Sequence, residues 1–173
     1  MCRVYVPSYH AKSIFEIEID FYKKHGITTV LSDLDNTLDS YKTARPSARV
    51  VSLKEKLNEN GIELFIISNN TGHRVEEYAS ALGARFASSV GKPFARKLVR
   101  KLNEAHIDLK TAVLIGDQTV TDIASANRAG ILCVLTDKIV KEDQPTTHFN
   151  RLFDRPIRRH LIRRHKLVDW REK

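Results

Sequence analysis

The fold of this chain is decided where its first apolar run ends, in the stretch Leu31-Ser32-Asp33-Leu34-Asp35-Asn36-Thr37-Leu38. Its two carboxylates lie two residues apart, and side chains at that spacing point the same way only while the backbone is extended. Burying two like charges side by side is costly unless a cation or a proton compensates. The stretch therefore predicts a Mg²⁺ site or an acid/base pair, although Asp and Asn after a strand also form ordinary turns.

Around this stretch, short apolar runs alternate with longer amphipathic segments. We predict strands at 28–32, 62–67, 84–87, 112–115 and 131–135, and helices at about 47–60, 73–82, 94–105 and 120–129. Strand, helix and strand at this spacing imply right-handed crossovers and a parallel sheet. The prediction is an α/β fold, a three-layer Rossmann-like sheet with helices on both faces. Before the first strand, Ser13 and Glu16 fit a helix-capping box, so we favour a helix there, although residues 15–21 also alternate as a strand would.

The composition is that of one globular domain with an unevenly placed charge. The 173 residues carry 29 Lys and Arg against 21 Asp and Glu, a net charge of +8. Nine of those basic residues and three of the acidic ones fall in residues 151–173. We therefore divide the chain into a nearly neutral domain, 1–150 with its core at 28–136, and a basic amphipathic tail, 151–173. Two cysteines are too few for a disulfide framework and indicate a reducing, cytoplasmic setting, and no apolar run has the roughly 18 residues of a membrane span.

The tail has three candidate roles. Phe153, Ile157, Leu161 and Val168 would form a narrow apolar stripe on a basic helix. Such a helix either lies on an anionic membrane surface or docks its stripe on its own domain. Nucleic acid is a less favoured partner, because Phe153 and Trp170 are the only aromatic residues that the segment offers for base stacking.

Further polar groups follow the other predicted strands. Ser68-Asn69-Asn70 follows the second strand, Lys92 precedes Pro93, and Asp117 and Asp122 follow the fourth strand. Each group alone is compatible with a helix cap or a solvated side chain. The carboxyl ends of parallel strands share one edge of a sheet, however, so the fold should bring the groups together. Together they supply a carboxylate nucleophile, a hard-cation site, a phosphate-oxygen donor and an ammonium, which is what hydrolysis of a phosphate monoester requires.

These four motifs, in this order, resemble those of the haloacid dehalogenase superfamily over about residues 28–136. The resemblance implies that Asp33 is the nucleophile that becomes an aspartyl-phosphate, and that Asp35 is the general acid and base. It implies that Ser68, Asn69 and Lys92 contact the substrate, with Ser68 and Lys92 also catalytic. Asp33, the backbone carbonyl of Asp35, and Asp117 would hold Mg²⁺, with Asp122 orienting groups just outside the metal ligands.

The spacing of the motifs leaves no room for a cap domain. Only 32 residues separate Asp35 from Ser68, and 23 separate Ser68 from Lys92. An open site suits substrates that are large or held on a surface.

The segment Ser13-Ile14-Phe15-Glu16-Ile17 leads into Gly26-Ile27 and the first motif, and a Gly116-Asp117-Gln118 loop and an Arg-rich end follow. With these features the chain is similar, over nearly its whole length, to the YqeG-type branch, subclass IIIA, which is related to the mitochondrial phosphatidylglycerophosphate phosphatases. This resemblance implies Mg²⁺-dependent removal of the terminal phosphate of phosphatidylglycerophosphate, by a cytoplasmic protein that contacts the inner face of the membrane peripherally. The alternatives are a phosphatase of nucleic-acid ends or of a small metabolite, and an RNA- or partner-binding module with a vestigial phosphatase core. The sequence does not specify the oligomeric state.

Overall fold

A computed structural model describes residues 3–71, 73–139 and 148–172 of the chain. Its centre is a six-stranded parallel sheet in the order β1-β6-β5-β2-β3-β4. The strands are Tyr9–Ala11 (β1), Thr29–Asp33 (β2), Glu63–Ile67 (β3), Arg85–Ala87 (β4), Ala112–Gly116 (β5) and Leu132–Thr136 (β6). The predicted parallel sheet is confirmed. Strand β1 is additional, since three residues at a sheet edge are too short for a periodic pattern to reveal.

The helices cover both faces of the sheet, as predicted. They are Ile19–Lys24 (α1), Ala48–Glu59 (α2), His73–Leu82 (α3), Ala95–Glu104 (α4), Ala124–Ala129 (α5) and His148–Arg163 (α6). Alternate residues of each central strand face opposite layers. Val30 packs in one buried cluster with residues of α2 and α3, and Leu31 packs in the other with residues of α4 and α5. Within the described residues no cap domain interrupts this three-layer arrangement.

Two helical segments differ in detail from the prediction. The Ser13 hydroxyl accepts a hydrogen bond from the Phe15 amide, but it caps only a short 3₁₀ turn, Ile14–Glu16. The backbone is extended at Ile17, and α1 begins only at Ile19. The predicted helix at 120–129 likewise divides into a π-helical turn, Thr119–Ile123, followed by α5.

The basic tail packs on the domain. Helix α6 begins at His148 and ends at Arg163, so Val168 does not lie on it. Of the other residues of the predicted stripe, Phe153 is 52% exposed whereas Leu161 is fully buried. The predicted four-residue stripe is therefore not one face. The polar Asp154 and Arg158 find partners in the domain, so the helix docks with the face that carries them and Leu161.

The end of the tail pairs with the edge strand β1. The His10 amide donates to the Val168 carbonyl at 2.7 Å, and the Trp170 amide donates to the His10 carbonyl at 3.0 Å. The Trp170 ring packs edge-on against Phe21, with ring centroids 6.1 Å apart. The sequence also predicts a loop at 138–150. Residues 140–147 lie outside the described part of the chain, and residues 148–150 belong to α6 rather than to a loop. No helix in the described residues has the length and apolar character needed to cross a bilayer.

Candidate active site

The chemically active side chains converge at the carboxyl edge of the sheet. Asp33 is the last residue of β2, Ser68 comes directly after β3, and Asp117 comes directly after β5. Asp122 lies in the π-helical turn that follows, and Lys92 lies in the loop that leads from β4 to α4. This meeting of four separate segments is the arrangement that the parallel fold predicts.

Lys92 links two of the carboxylates from a buried position. Its Nζ donates to Asp33 Oδ1 at 2.5 Å and to Asp122 Oδ1 at 2.6 Å. Burial alone would lower the pKa of the Lys92 ammonium, but the carboxylates of Asp122 and Asp33 outweigh it and raise that pKa above its ordinary value. Lys92 is therefore a fixed positive charge beside the predicted nucleophile.

Asn69 fixes the main chain of Lys92. Its side-chain Nδ2 donates to the main-chain carbonyl of Lys92 at 2.8 Å, and its side-chain Oδ1 accepts from the main-chain amide of Lys92 at 2.8 Å. Both polar atoms of the Asn69 side chain thus have hydrogen-bond partners inside the site. The substrate contact of Asn69 that the resemblance implies stays a prediction.

Three buried carboxylates form the centre of the site. Oxygens of Asp33, Asp117 and Asp122 lie within 4.8 Å of one another. Burial is the largest cause that raises the pKa of Asp33 well above its ordinary value, and Lys92 opposes it while the carboxylates of Asp122 and Asp117 add to it. A divalent cation at this point would supply the missing positive charge and keep Asp33 ionised. Carboxylate oxygens are also the ligands that Mg²⁺ prefers, so the residues fit this metal.

Asp122 differs from the other two carboxylates in its partners. Its Oδ1 accepts from Lys92, and its Oδ2 accepts from the Gln118 amide at 3.1 Å. Because both oxygens have protein donors, this geometry suits a residue that orients Lys92 beside the metal position.

Gly116 allows Asp122 to come this close to β5. A Cβ atom at position 116 would lie 2.3 Å from Cγ of Asp122, far inside any real contact distance. The sequence shows a glycine in a strand-to-helix connection, but it does not show which side chain occupies the space where a Cβ would be.

Asp35 faces a partner that the sequence did not predict. Arg74 Nη1 donates to Asp35 Oδ1 at 2.6 Å, and the Asn70 side-chain amide donates to Asp35 Oδ2 at 3.0 Å. Arg74 also donates to the carbonyls of Ser40 and Thr43, at 3.2 and 3.4 Å. The sequence alone gives no reason to distinguish an arginine in the first turn of a helix from a solvated side chain, so the contact of Arg74 with Asp35 could not be predicted. The main-chain amide of Asn70 donates to the Ser68 hydroxyl at 3.1 Å. This bond orients Ser68, the residue predicted to contact the phosphate.

A basic cavity lies beside this cluster, between the end of β6 and α6. It has a volume of about 390 Å³. Four cationic and two anionic side chains line it, together with Ile162: Lys138, Arg155, Arg158, Arg159, Asp137 and Asp154. Arg158 connects the cavity to the site, since its Nη2 donates to the main-chain carbonyl of Asp117 at 2.9 Å.

Comparisons with known proteins show the family of the chain. A family model for haloacid dehalogenase-like hydrolases matches residues 3–130. The chain is 30% identical over 170 residues to "Probable phosphatase YqeG" of Bacillus subtilis, a match that covers 98% of each chain. It is 25% identical over 149 residues to "Phosphatidylglycerophosphate phosphatase 1, chloroplastic/mitochondrial" of Arabidopsis thaliana, covering 81% of this chain and 43% of the plant protein.

A solved structure shares the fold. It is the 3-deoxy-D-manno-octulosonate 8-phosphate phosphatase of Moraxella catarrhalis, which contains magnesium, phosphate and KDO. The TM-score is 0.53 at 20% sequence identity, and the match covers 70% of this chain and 75% of that one. At this identity the likeness concerns the fold alone.

Proposed function

This chain belongs to the haloacid dehalogenase-like hydrolases and is a phosphatase of that family, and we propose that it converts phosphatidylglycerophosphate to phosphatidylglycerol in a Mg²⁺-dependent reaction. The observation that carries the reaction is the buried cluster of Asp33, Asp117 and Asp122, in which the Lys92 ammonium is paired with Asp33 and Asp122. A carboxylate nucleophile beside a fixed cation and a cation site is the machinery of phosphoryl transfer through a covalent intermediate.

In the first step, an Asp33 oxygen attacks phosphorus and forms a bond to it, while the bond from phosphorus to the leaving oxygen breaks. Asp35 gives its proton to that leaving oxygen. In the second step, Asp35 takes a proton from water, whose oxygen attacks phosphorus and releases inorganic phosphate and the free Asp33 carboxylate. Arg74 and Asn70 each donate a hydrogen bond to one oxygen of Asp35 and so orient it, and each oxygen keeps a further lone pair for these proton transfers.

The remaining residues hold the reacting groups. Ser68 donates to a phosphoryl oxygen, and Lys92 balances the charge shared by Asp33 and the phosphoryl group. Asp33, the main-chain carbonyl of Asp35, and Asp117 would hold Mg²⁺, and Asp122 keeps Lys92 in place. When bound, Mg²⁺ supplies charge neutralisation for the transferring phosphoryl oxygens.

The proposed lipid substrate is supported by an exposed face of α6, part of which lines the basic cavity. Leu152 and Ile162 are 68% and 57% exposed there, next to the exposed Arg155 and Arg159. Basic residues near an anionic bilayer contribute about 1 kcal/mol each to binding, and exposed apolar side chains insert at the interface. The plant relative whose name states this lipid reaction points to the same substrate. We place the reaction at the inner face of the membrane, with α6 as the contact.

A substrate panel with Mg²⁺ tests the proposal. Phosphate release is measured from phosphatidylglycerophosphate in anionic vesicles, a 5′-phosphorylated oligonucleotide and glycerol 3-phosphate. We expect the lipid to give a kcat/KM at least tenfold above the others, and Asp33→Asn to abolish release from each. A higher kcat/KM for the oligonucleotide or for glycerol 3-phosphate would reject the lipid substrate in favour of that alternative. No release from any substrate, with Asp33→Asn identical to wild type, would favour a binding module.

Charge reversal tests the membrane contact. Truncation is unsuitable, because Leu161 and Trp170 are buried. Arg155→Glu/Arg159→Glu should lower vesicle binding at least tenfold and leave hydrolysis of p-nitrophenyl phosphate unchanged. The matched control is Lys56→Glu/Lys110→Glu, the same charge change on exposed residues at the opposite edge of the sheet. Equal vesicle binding by the two variants would contradict a membrane role for α6.

A further inference from the structure

The π-helical turn that carries Asp122 is capped by a residue from the distant C-terminal helix. The amides of Thr119 and Val120 donate to Oδ1 of Asp154 at 2.6 and 3.4 Å, and the Thr119 hydroxyl donates to the same oxygen. Asp154 is 2% exposed. The residue in the local capping position, Gln118, makes no side-chain cap bond. A carboxylate supplied by α6 therefore satisfies the free amides at the start of this turn.

The same turn orients two of the three carboxylates of the cluster. Asp117 precedes it, and Asp122 lies within it with its amide bonded to the Gln118 carbonyl at 3.0 Å. The direction of the turn therefore sets where both carboxylates point. A shift at its first residue, Thr119, would displace them together.

Arg158, one helical turn after Asp154, holds the other end of this connection. Its Nη2 donates to the main-chain carbonyls of Asp117 and Thr136, at 2.9 and 2.7 Å, and its Nη1 donates to Asp137 Oδ1 at 2.7 Å. One guanidinium thus joins the carboxyl ends of β5 and β6. Helix α6 therefore hydrogen-bonds to the segment 117–120 at two points, through the buried carboxylate of Asp154 and the guanidinium of Arg158.

We infer that α6 is a positioning element for the cation site, with Asp154 and Arg158 as its positioning residues. Asp154 holds the turn that carries Asp122, and Arg158 holds the main chain of Asp117. Neither residue belongs to the cluster of Asp33, Asp117 and Asp122. The inference rests on the proposed cation site, but not on which phosphomonoester is the substrate.

The test is Mg²⁺ binding to the full chain, measured by titration calorimetry, alongside urea unfolding. Asp154→Ala should weaken Mg²⁺ binding about tenfold, the lower end of what outer residues contribute at metal sites. Asp154→Asn retains an acceptor oxygen without the charge, so its dissociation constant should fall between those of wild type and Asp154→Ala. Arg158→Lys retains the charge but loses the planar fork that reaches two carbonyls, so it should weaken binding severalfold. The Mg²⁺ concentration for half-maximal hydrolysis of p-nitrophenyl phosphate should rise in parallel.

Asp169→Asn is the matched control, because it removes a tail carboxylate that accepts hydrogen bonds only from Arg171 in the described residues. It should leave the Mg²⁺ dissociation constant unchanged. If Asp154→Ala does not fold, Asp154→Asn and Thr119→Val decide the question through the same constant. Wild-type Mg²⁺ affinity in the folded variants, with only their unfolding free energy lowered, would overturn the inference and leave the cation site standing. A wild-type chain that binds no Mg²⁺ would reject the cation site itself, and the inference with it.

Discussion

Replacing Gly116 by alanine should disable the site through a single contact. The new Cβ would lie 2.3 Å from Cγ of Asp122 and 2.5 Å from its Cβ and Oδ2, whereas ordinary contacts begin at 3.4 Å. Asp122 must therefore move by about 1 Å to reach carbon–carbon contact distance. That movement breaks the 2.6 Å hydrogen bond between Lys92 Nζ and Asp122 Oδ1.

Two costs follow from this displacement. Overpacking of a buried site costs about 1–3 kcal/mol, and losing a hydrogen bond to a charged group costs about 1.5–3 kcal/mol. We expect the free energy of unfolding to fall by about 3 kcal/mol or more. Since misplacing a catalytic group by about 1 Å costs about 100-fold in rate, kcat should fall by about that factor.

Urea unfolding and Mg²⁺-dependent hydrolysis of p-nitrophenyl phosphate measure the two effects. Gly61→Ala is the control: Gly61 has φ +70°, and nothing lies within 4 Å of its added Cβ. That substitution should cost about 1–2 kcal/mol through backbone strain alone, with kcat unchanged. If the kcat of Gly116→Ala is within threefold of that of Gly61→Ala, the close approach of Asp122 does not support catalysis and the reasoning is refuted.

Three further changes test the charges of the site. Asp33→Asn should abolish phosphate release yet leave the metal-free protein at least as stable at pH 7.5. Burial raises the pKa of the Asp33 carboxyl group, and such a group stabilises the fold only below its raised pKa. The stability advantage of the variant should therefore grow as pH rises toward that pKa. Lower stability than wild type at pH 7.5 in urea unfolding would contradict this. Arg74→Ala should lower kcat about tenfold by releasing Asp35, with a smaller loss for Arg74→Lys; equal kcat in wild type and both variants would exclude the positioning role. The hydrogen bond from His10 lowers the pKa of Asp137 despite its partial burial, so Asp137→Asn should cost under about 1 kcal/mol at pH 7, a difference that disappears in acid as the carboxylate of the native protein is protonated. If Asp137→Asn lowers the free energy of unfolding by the same amount at pH 7 and at pH 3, the ionised Asp137 does not stabilise the fold.

The sequence by itself determined the layered parallel fold and the set of groups at its carboxyl edge. Periodicity and spacing suffice there, because every βα unit of a parallel sheet returns its next strand in the same direction. Asp33, Ser68, Lys92, Asp117 and Asp122 therefore share one edge whatever their side chains do. The roles proposed for these residues rest on the resemblance of their motifs to those of a known family.

The tertiary structure alone decided which side chains support those groups. The contacts of Arg74 with Asp35 and of Asp154 with Thr119 join residues 39 and 35 positions apart, and no local pattern encodes such distant pairs. The tail shows the same limit: its charge suggested a surface appendage, but Asp154 and Arg158 have buried partners that only the folded domain provides. Hydrogen bonding to buried polar groups outweighs an amphipathic pattern, because each such group left unpaired would cost about 1–3 kcal/mol.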